Sequence, residues 1–115
     1  MRRGDIVRVQ LPKPQGKAGR EQFGTRPAIV IQTSKSAANL STVAIVPLTS
    51  TLSAINFDGS FYVLPDGTNG LDLKSVVLTH QVRAIDKARI EAVIGNLSVA
   101  DMATLESALR VMLGL

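Results

Sequence analysis

The sequence predicts a mainly β domain with one C-terminal α-helix, folded as a small barrel with the helix across it. Three observations predict this. Short apolar runs recur between residues 6 and 94, and most are closed by Pro, Gly, Asn or Asp. The period becomes helical only after Ser98. The 115 residues suit one domain, 1–115, with no repeat, low-complexity tract or composition break where a second would begin.

The elements follow in order. Ile6, Val7, Val9 and Leu11, interrupted by Arg8 and Gln10, read as a half-buried strand. Prolines and glycines crowd residues 12–19 and end it in a loop. Pro27-Ala28-Ile29-Val30-Ile31 is a continuous apolar run, a buried central strand. Residues 42–48 make another; Pro47 cannot donate to a ladder, so it is expected at that strand's end or on an edge. Residues 61–64 form a third candidate, closed by Pro65-Asp66-Gly67, with a second turn signal at Asn69-Gly70. Residues 75–79, 81–85 and 92–94 complete the strands. Met102, Leu105, Leu109, Met112 and Leu113 then recur on one helical face. Ser98 is the expected N-cap, with Asp101 near the positive end of the dipole. Leu97, just before the cap, is placed to staple onto Met102.

Composition narrows the function. An apolar content of 45% excludes a disordered tail. The absence of cysteine excludes a disulfide scaffold, a thiolate metal site and a cysteine nucleophile. No apolar run approaches the ~18 residues of a membrane span, and the N-terminal segment lacks the apolar stretch of a signal peptide. A soluble, cytoplasmic protein is expected. Charge is uneven: residues 1–35 carry eight bases and two acids, whereas 36–115 carry five bases and seven acids. A basic first third suits a phosphate-bearing partner, although a solvated surface is the ordinary reading of such charge.

Most catalytic constellations are missing. One histidine cannot make a two-histidine ribonuclease site within one chain. There is no HExxH, P-loop or GxGxxG, and no carboxylate cluster at metal-ligand spacing. Four aromatic residues are too few for a base-stacking sheet. One loop stands out: Gly19-Arg20-Glu21-Gln22-Phe23-Gly24-Thr25-Arg26-Pro27 sets an acid and an amide between glycines, with two arginines close by. Glycines let backbone N–H groups approach an anion. Pro27 biases Arg26 to extended geometry, holding its cation at the start of the strongest apolar strand. This is an oxyanion clamp or, more blandly, a surface loop in which Glu21 and Arg26 pair. Lys17, upstream, is a phosphate contact or a solvated lysine. Thr49-Ser50-Thr51 puts three hydroxyls after a buried strand, to position a phosphate or simply to end the strand. His80, beside Gln81, reads as a surface or packed residue.

These residues bring a resemblance into view. Arg3-Gly4-Asp5-Ile6-Val7, Gly19-x-Glu21-Gln22-x-Gly24-x-Arg26-Pro27, Ile45-Val46-Pro47-Leu48-Thr49-Ser50 and Gln81-Val82-Arg83-Ala84-Ile85-Asp86-Lys87-x-Arg89 occur in an order and spacing that resembles the MazF/PemK (Kid) family. These are the RNA-cleaving halves of bacterial toxin–antitoxin pairs. The resemblance spans nearly the whole chain and implies an SH3-like barrel assembled as a homodimer. It implies cleavage of single-stranded RNA at short sequences, without a metal or cofactor, by attack of the ribose 2′-OH. The catalytic arginine falls on Arg26 and the catalytic hydroxyl on Thr49. Glu21 and Gln22 match positions that shape the site, and Glu21 is the candidate base because arginine stays protonated. Gln22, Gly24, Arg20, Ser50, Lys17 and Gln81 are the expected substrate contacts. Arg20 departs from the small polar residue common in relatives, and His80 stands where they commonly carry an acid. An antitoxin is the expected partner, docking an extended acidic segment over the site, with operator DNA as a possible joint target.

The rival reading is a CcdB-like toxin that shares the barrel but binds DNA gyrase without catalysis; a second is an inactive partner that only represses its operon. Gly24-x-Arg26-Pro27 together with Thr49, which only the nuclease branch needs, favours RNA cleavage.

Overall fold

The computed structural model describes residues 1–12 and 24–115. Its strands are β1 (Asp5–Leu11), β2 (Gly24–Val30), β3 (Thr42–Thr49), β4 (Phe61–Val63), β5 (Ser75–Val77), β6 (Arg83–Asp86) and β7 (Ile90–Asn96). The helices are α1 (Ser34–Ala37) and α2 (Val99–Leu113), with 3-10 turns at Leu52–Asn56, Thr79–Gln81 and Lys87–Arg89. All strand pairings are antiparallel. The strands run β4-β5-β3-β2-β1-β7, and β6 joins β3 off that path.

The central strands bury both faces, which explains their continuous apolar runs. Val7, Val9 and Leu11 of β1, Ala28 and Val30 of β2, and Val43 and Ile45 of β3 fill one core. Ile6, Ile29, Val46 and Leu48 point the opposite way into a second core, which Leu97 and Leu105 close from the α2 side. The pleat puts successive side chains on opposite faces, so one strand serves both cores. Ser98 caps α2 as expected, its hydroxyl accepting from Asp101 N–H at 3.1 Å. Leu105 is fully buried, and Leu97 joins the core on which Met102 and Leu109 pack. The predicted stripe ends early: Leu113 is 52% exposed because the last turn runs past the sheet.

Several boundaries differ from expectation. Among the described residues β2 spans Gly24–Val30, reaching ahead of Pro27, and β1 pairs with it as far as Leu11–Gly24. β7 spans seven residues, since β1 supplies its whole ladder. α1 carries no sequence period long enough to reveal it; Thr33 caps it by accepting from Ser36 N–H. Pro47 lies inside β3, not at its end. The reason is a change of partner. β3 pairs with β6 up to Ile45 and with β5 from Leu48, so Pro47 falls between the two ladders. Continuing the Leu48–Val77 register would bring His80 opposite Ile45, yet Arg83 stands there. β5 and β6 are therefore one long partner of β3 with three extra residues looped out at the Thr79–Gln81 turn. That is why the expected strands 75–79 and 81–85 shorten to 75–77 and 83–86.

Candidate active site

The looped-out turn faces a second irregularity, at the ends of β2 and β3. Their ladder holds Val30–Ile45, Ile29–Val46 and Ala28–Pro47. Two residues further in the same register, Arg26 stands opposite Thr49, but there β3 has turned to β5. The strands splay, and a cleft opens between them. Arg26 continues the face of Val30 and Ala28, and Thr49 that of Ile45. A core-facing row thus becomes a polar pair at the mouth of the wedge.

Arg26 is half-buried and Thr49 is 5% exposed. Both line a cleft of about 410 Å³ with Thr51, Ser53, Phe57 and Gln81. Both also line an adjoining depression of about 170 Å³, with Ser50, Asp72, Leu73 and Ser75. Thr51 N–H donates to Thr49 Oγ1 at 3.2 Å. That bond takes one lone pair and leaves the hydroxyl proton to point elsewhere. Among the described residues this hydroxyl donates to no acceptor. No three carboxylate or imidazole groups come together among the described residues as a metal-ligand set.

The structure thus brings Arg26, Thr49, Ser50 and Gln81 to one place. Gly24 opens β2 at φ +82°, a conformation that favours glycine whatever the free space around it. Lys17, Arg20, Glu21 and Gln22 lie outside the described residues. His80 is packed, one of the two expected readings: its ring lies 4.7 Å from Phe57, its Nε2 is 3.4 Å from Gln81 Nε2, and its buried Nδ1 has no partner among the described residues. It sits beside two cleft residues without lining the cleft itself.

Sequence reasoning missed the walls. Residues 51–57 supply one and residues 71–73 the other. The second is braced by a turn. Asp66 Oδ1 accepts from Thr68 N–H, Thr68 Oγ1–H and Asn69 N–H, each at 2.9 Å. The Thr68 bonds, then that of Asn69, hold the Asp66 carboxyl below its ordinary value near 3.8. Fully buried Asn69 donates to Leu64 O and accepts from Leu71 N–H, tying the turn to the chain on both sides. The Asn69-Gly70 turn signal was legible; its packing against β7 was not.

Comparisons with known proteins agree with this fold. A family model described as "PemK-like, MazF-like toxin of type II toxin-antitoxin system" matches residues 2–113. The chain is 31% identical to Endoribonuclease MazF9 of Mycobacterium tuberculosis over 121 aligned positions, covering all of this chain and 98% of that protein. Among solved structures it resembles MazF from Deinococcus radiodurans, with a TM-score of 0.79 and 24% identity, covering 100% and 97% of the two chains. A MazE–MazF structure from the same organism matches with a TM-score of 0.74 and 26% identity, covering 100% and 96%.

Proposed function

The chain belongs to the PemK-like and MazF-like toxins of type II toxin–antitoxin systems, and from that premise we propose how its residues cut RNA. It is an endoribonuclease. The observation that carries the mechanism is that Arg26 lines one cleft with Thr49, whose hydroxyl accepts from Thr51 N–H, where β2 and β3 diverge.

The ribose 2′-oxygen attacks the adjacent phosphorus while the P–O5′ bond breaks, leaving a 2′,3′-cyclic phosphate and a 5′-OH. Negative charge gathers on the non-bridging oxygens in the transition state. Arg26 remains protonated, so it stabilises that charge through its fork of donors instead of taking a proton. Thr49 donates a hydrogen bond from its hydroxyl to one of the same oxygens. Glu21 is the candidate acceptor of the 2′-OH proton, and O5′ takes a proton from solvent water as it departs. Ser50 and Gln81 hold the strand on either side of the cut, with Lys17, Arg20, Gln22 and the backbone at Gly24 completing the contacts.

The test is incubation with RNA of mixed sequence in EDTA, beside Arg26→Ala. Cuts at one short motif with cyclic-phosphate ends are expected, falling by ~10²–10³-fold in the variant, the range for losing one transition-state donor. Undiminished cutting by the variant would remove Arg26 from the mechanism.

Three further readings accompany this one. A cognate antitoxin lays an extended acidic segment over the cleft; the MazE–MazF structure from D. radiodurans supports a partner of this kind. Added antitoxin that leaves cleavage unchanged would rule this out. The toxin–antitoxin complex binds operator DNA, a reading supported by the basic first 35 residues; affinity that ignores salt would contradict it. The toxin is a homodimer in the cytoplasm, where mRNA is. Val111 and Leu115 at the end of α2 are 85% and 82% exposed, apolar surface for a second copy to cover. Light scattering that returns the mass of one chain would refute the dimer.

A further inference from the structure

A third depression adjoins Arg26, and it differs from the other two. It measures about 160 Å³ and is lined by Arg8, Pro27, Leu71, Asp72 and Ile94 together with Arg26. That is the scale of one planar base, below the ~300–1,000 Å³ typical of drug-sized ligand pockets. Beside Arg26 it holds a second cation, Arg8, and an anion, Asp72, that do not meet. Arg8 and Asp72 form no ion pair or side-chain hydrogen bond, with each other or with any other described residue; the ion pair found among those residues is Arg3–Glu106, at 2.9 Å.

Both charges sit on firm supports. Arg8 lies in β1, between buried Val7 and Val9, and the pleat turns it outward from a strand paired on both sides. Asp72 follows the turn that Asn69 anchors. Gly70 packs so closely on β7 that a Cβ there would lie 2.1 Å from Ile94 O. Two opposite charges beside Pro27, Leu71 and Ile94, in a lining that Thr25 and Arg26 complete, fit a flat ligand with paired acceptors on one edge and paired donors on the next.

We propose that this depression is a base-reading subsite that selects guanine in the RNA substrate. Guanine presents O6 and N7, two acceptors side by side, which match the guanidinium fork of Arg8. Its N1–H and N2–H₂ are two adjacent donors, which match the two carboxylate oxygens of Asp72. The other bases satisfy less. Cytosine offers Asp72 one exocyclic amine, adenine places an amine beside N7 where Arg8 needs an acceptor, and uracil lacks paired donors. Single-stranded RNA exposes these edges for reading. Because Arg26 lines both this depression and the cleft, the base read here lies within two nucleotides of the cut phosphate.

The proposal rests on the endoribonuclease reading, so two measurements keep them separate. The first maps cut sites in a random-sequence RNA pool for the wild type, Arg8→Lys, Arg8→Ala and Asp72→Asn. Guanine is expected at one fixed position within two nucleotides of the cut, favoured about tenfold or more. All three variants should flatten that preference. Arg8→Lys matters most, because lysine keeps the charge for a phosphate but loses the fork. A guanine preference that survives Arg8→Lys and Asp72→Asn, or its absence from the wild type, overturns the subsite while leaving the nuclease intact. The second measures binding of uncleavable 2′-O-methyl oligonucleotides differing at one base, with inosine and 7-deazaguanine replacing guanine. Inosine removes the amine facing Asp72, and 7-deazaguanine removes the N7 facing Arg8. Each should weaken wild-type binding several-fold, and each should lose its effect in the variant of its own partner. Guanine-selective binding without cleavage would sustain the subsite and sink the nuclease; binding indifferent to the base would sink the subsite.

Discussion

The role proposed for Thr49 depends on its neighbour. With Thr51 N–H on one lone pair, the hydroxyl proton is left, in the proposed mechanism, for a phosphate oxygen. Thr49→Ser keeps both bonds, whereas Thr49→Val keeps the shape and loses both. The valine variant should lose ~10²-fold in kcat/KM and about 1 kcal/mol of stability, as the Thr51 amide loses its acceptor. Equal losses in the serine variant would show that the methyl group, not the hydroxyl, matters. Asp66 gives a prediction in pH. Its carboxyl titrates below the ordinary value in the fold, so its contribution is present above about pH 3.8 and is lost as pH falls through the lower folded value. The stability difference between wild type and Asp66→Asn should therefore shrink in thermal melts below about pH 4. At this scale, legibility followed local sequence. Arg26 and Thr49 announce themselves by a proline and a run of hydroxyls. Asp72 and Phe57 have no such neighbours, because their place depends on which distant strands they fold beside.

The elements were legible where the apolar pattern alone decides them. β1, β3 and α2 fall within a residue or two of expectation, because burial sets their period. The 3-10 turn Thr79–Gln81 was not legible, because it answers to Pro47 more than thirty residues earlier, where no N–H is available and β3 changes partner. The same long-range logic governs the 66–70 turn. Gly70 and Gly67 both have positive φ, +72° and +85°, so alanine strains either. At Gly67 a Cβ meets nothing within 4 Å; at Gly70 it collides with the β7 backbone. Gly70→Ala should therefore lower the melting temperature well beyond Gly67→Ala. It should also reduce kcat/KM, by moving Leu71–Leu73 away from Arg26. Equal melting temperatures for the two variants would mean that the turn does not brace the cleft wall.

For the whole molecule, the described residues build two large cores on the two faces of the same central strands, with a smaller third cluster of Ala54, Val76 and Leu78. The sequence pattern implied buried strands, but not that two separate cores would claim their alternate residues. That division depends on α2 and the β4–β5 pair covering the second face. β3 sits at the middle of the arrangement, laddered in turn to β6, β2 and β5. A strand shared in this way leaves the protein no independent halves. Any fluctuation that frees β5 must work on the same backbone that holds β6, so both should open as one cooperative unit. Native-state hydrogen exchange should give β5 and β6 amides a common opening free energy and a common denaturant slope. A lower, separate opening for β5 would show that the cleft wall breathes independently of the barrel. With a single cooperative unit, the cleft proposed for RNA has its two sides in place together or not at all.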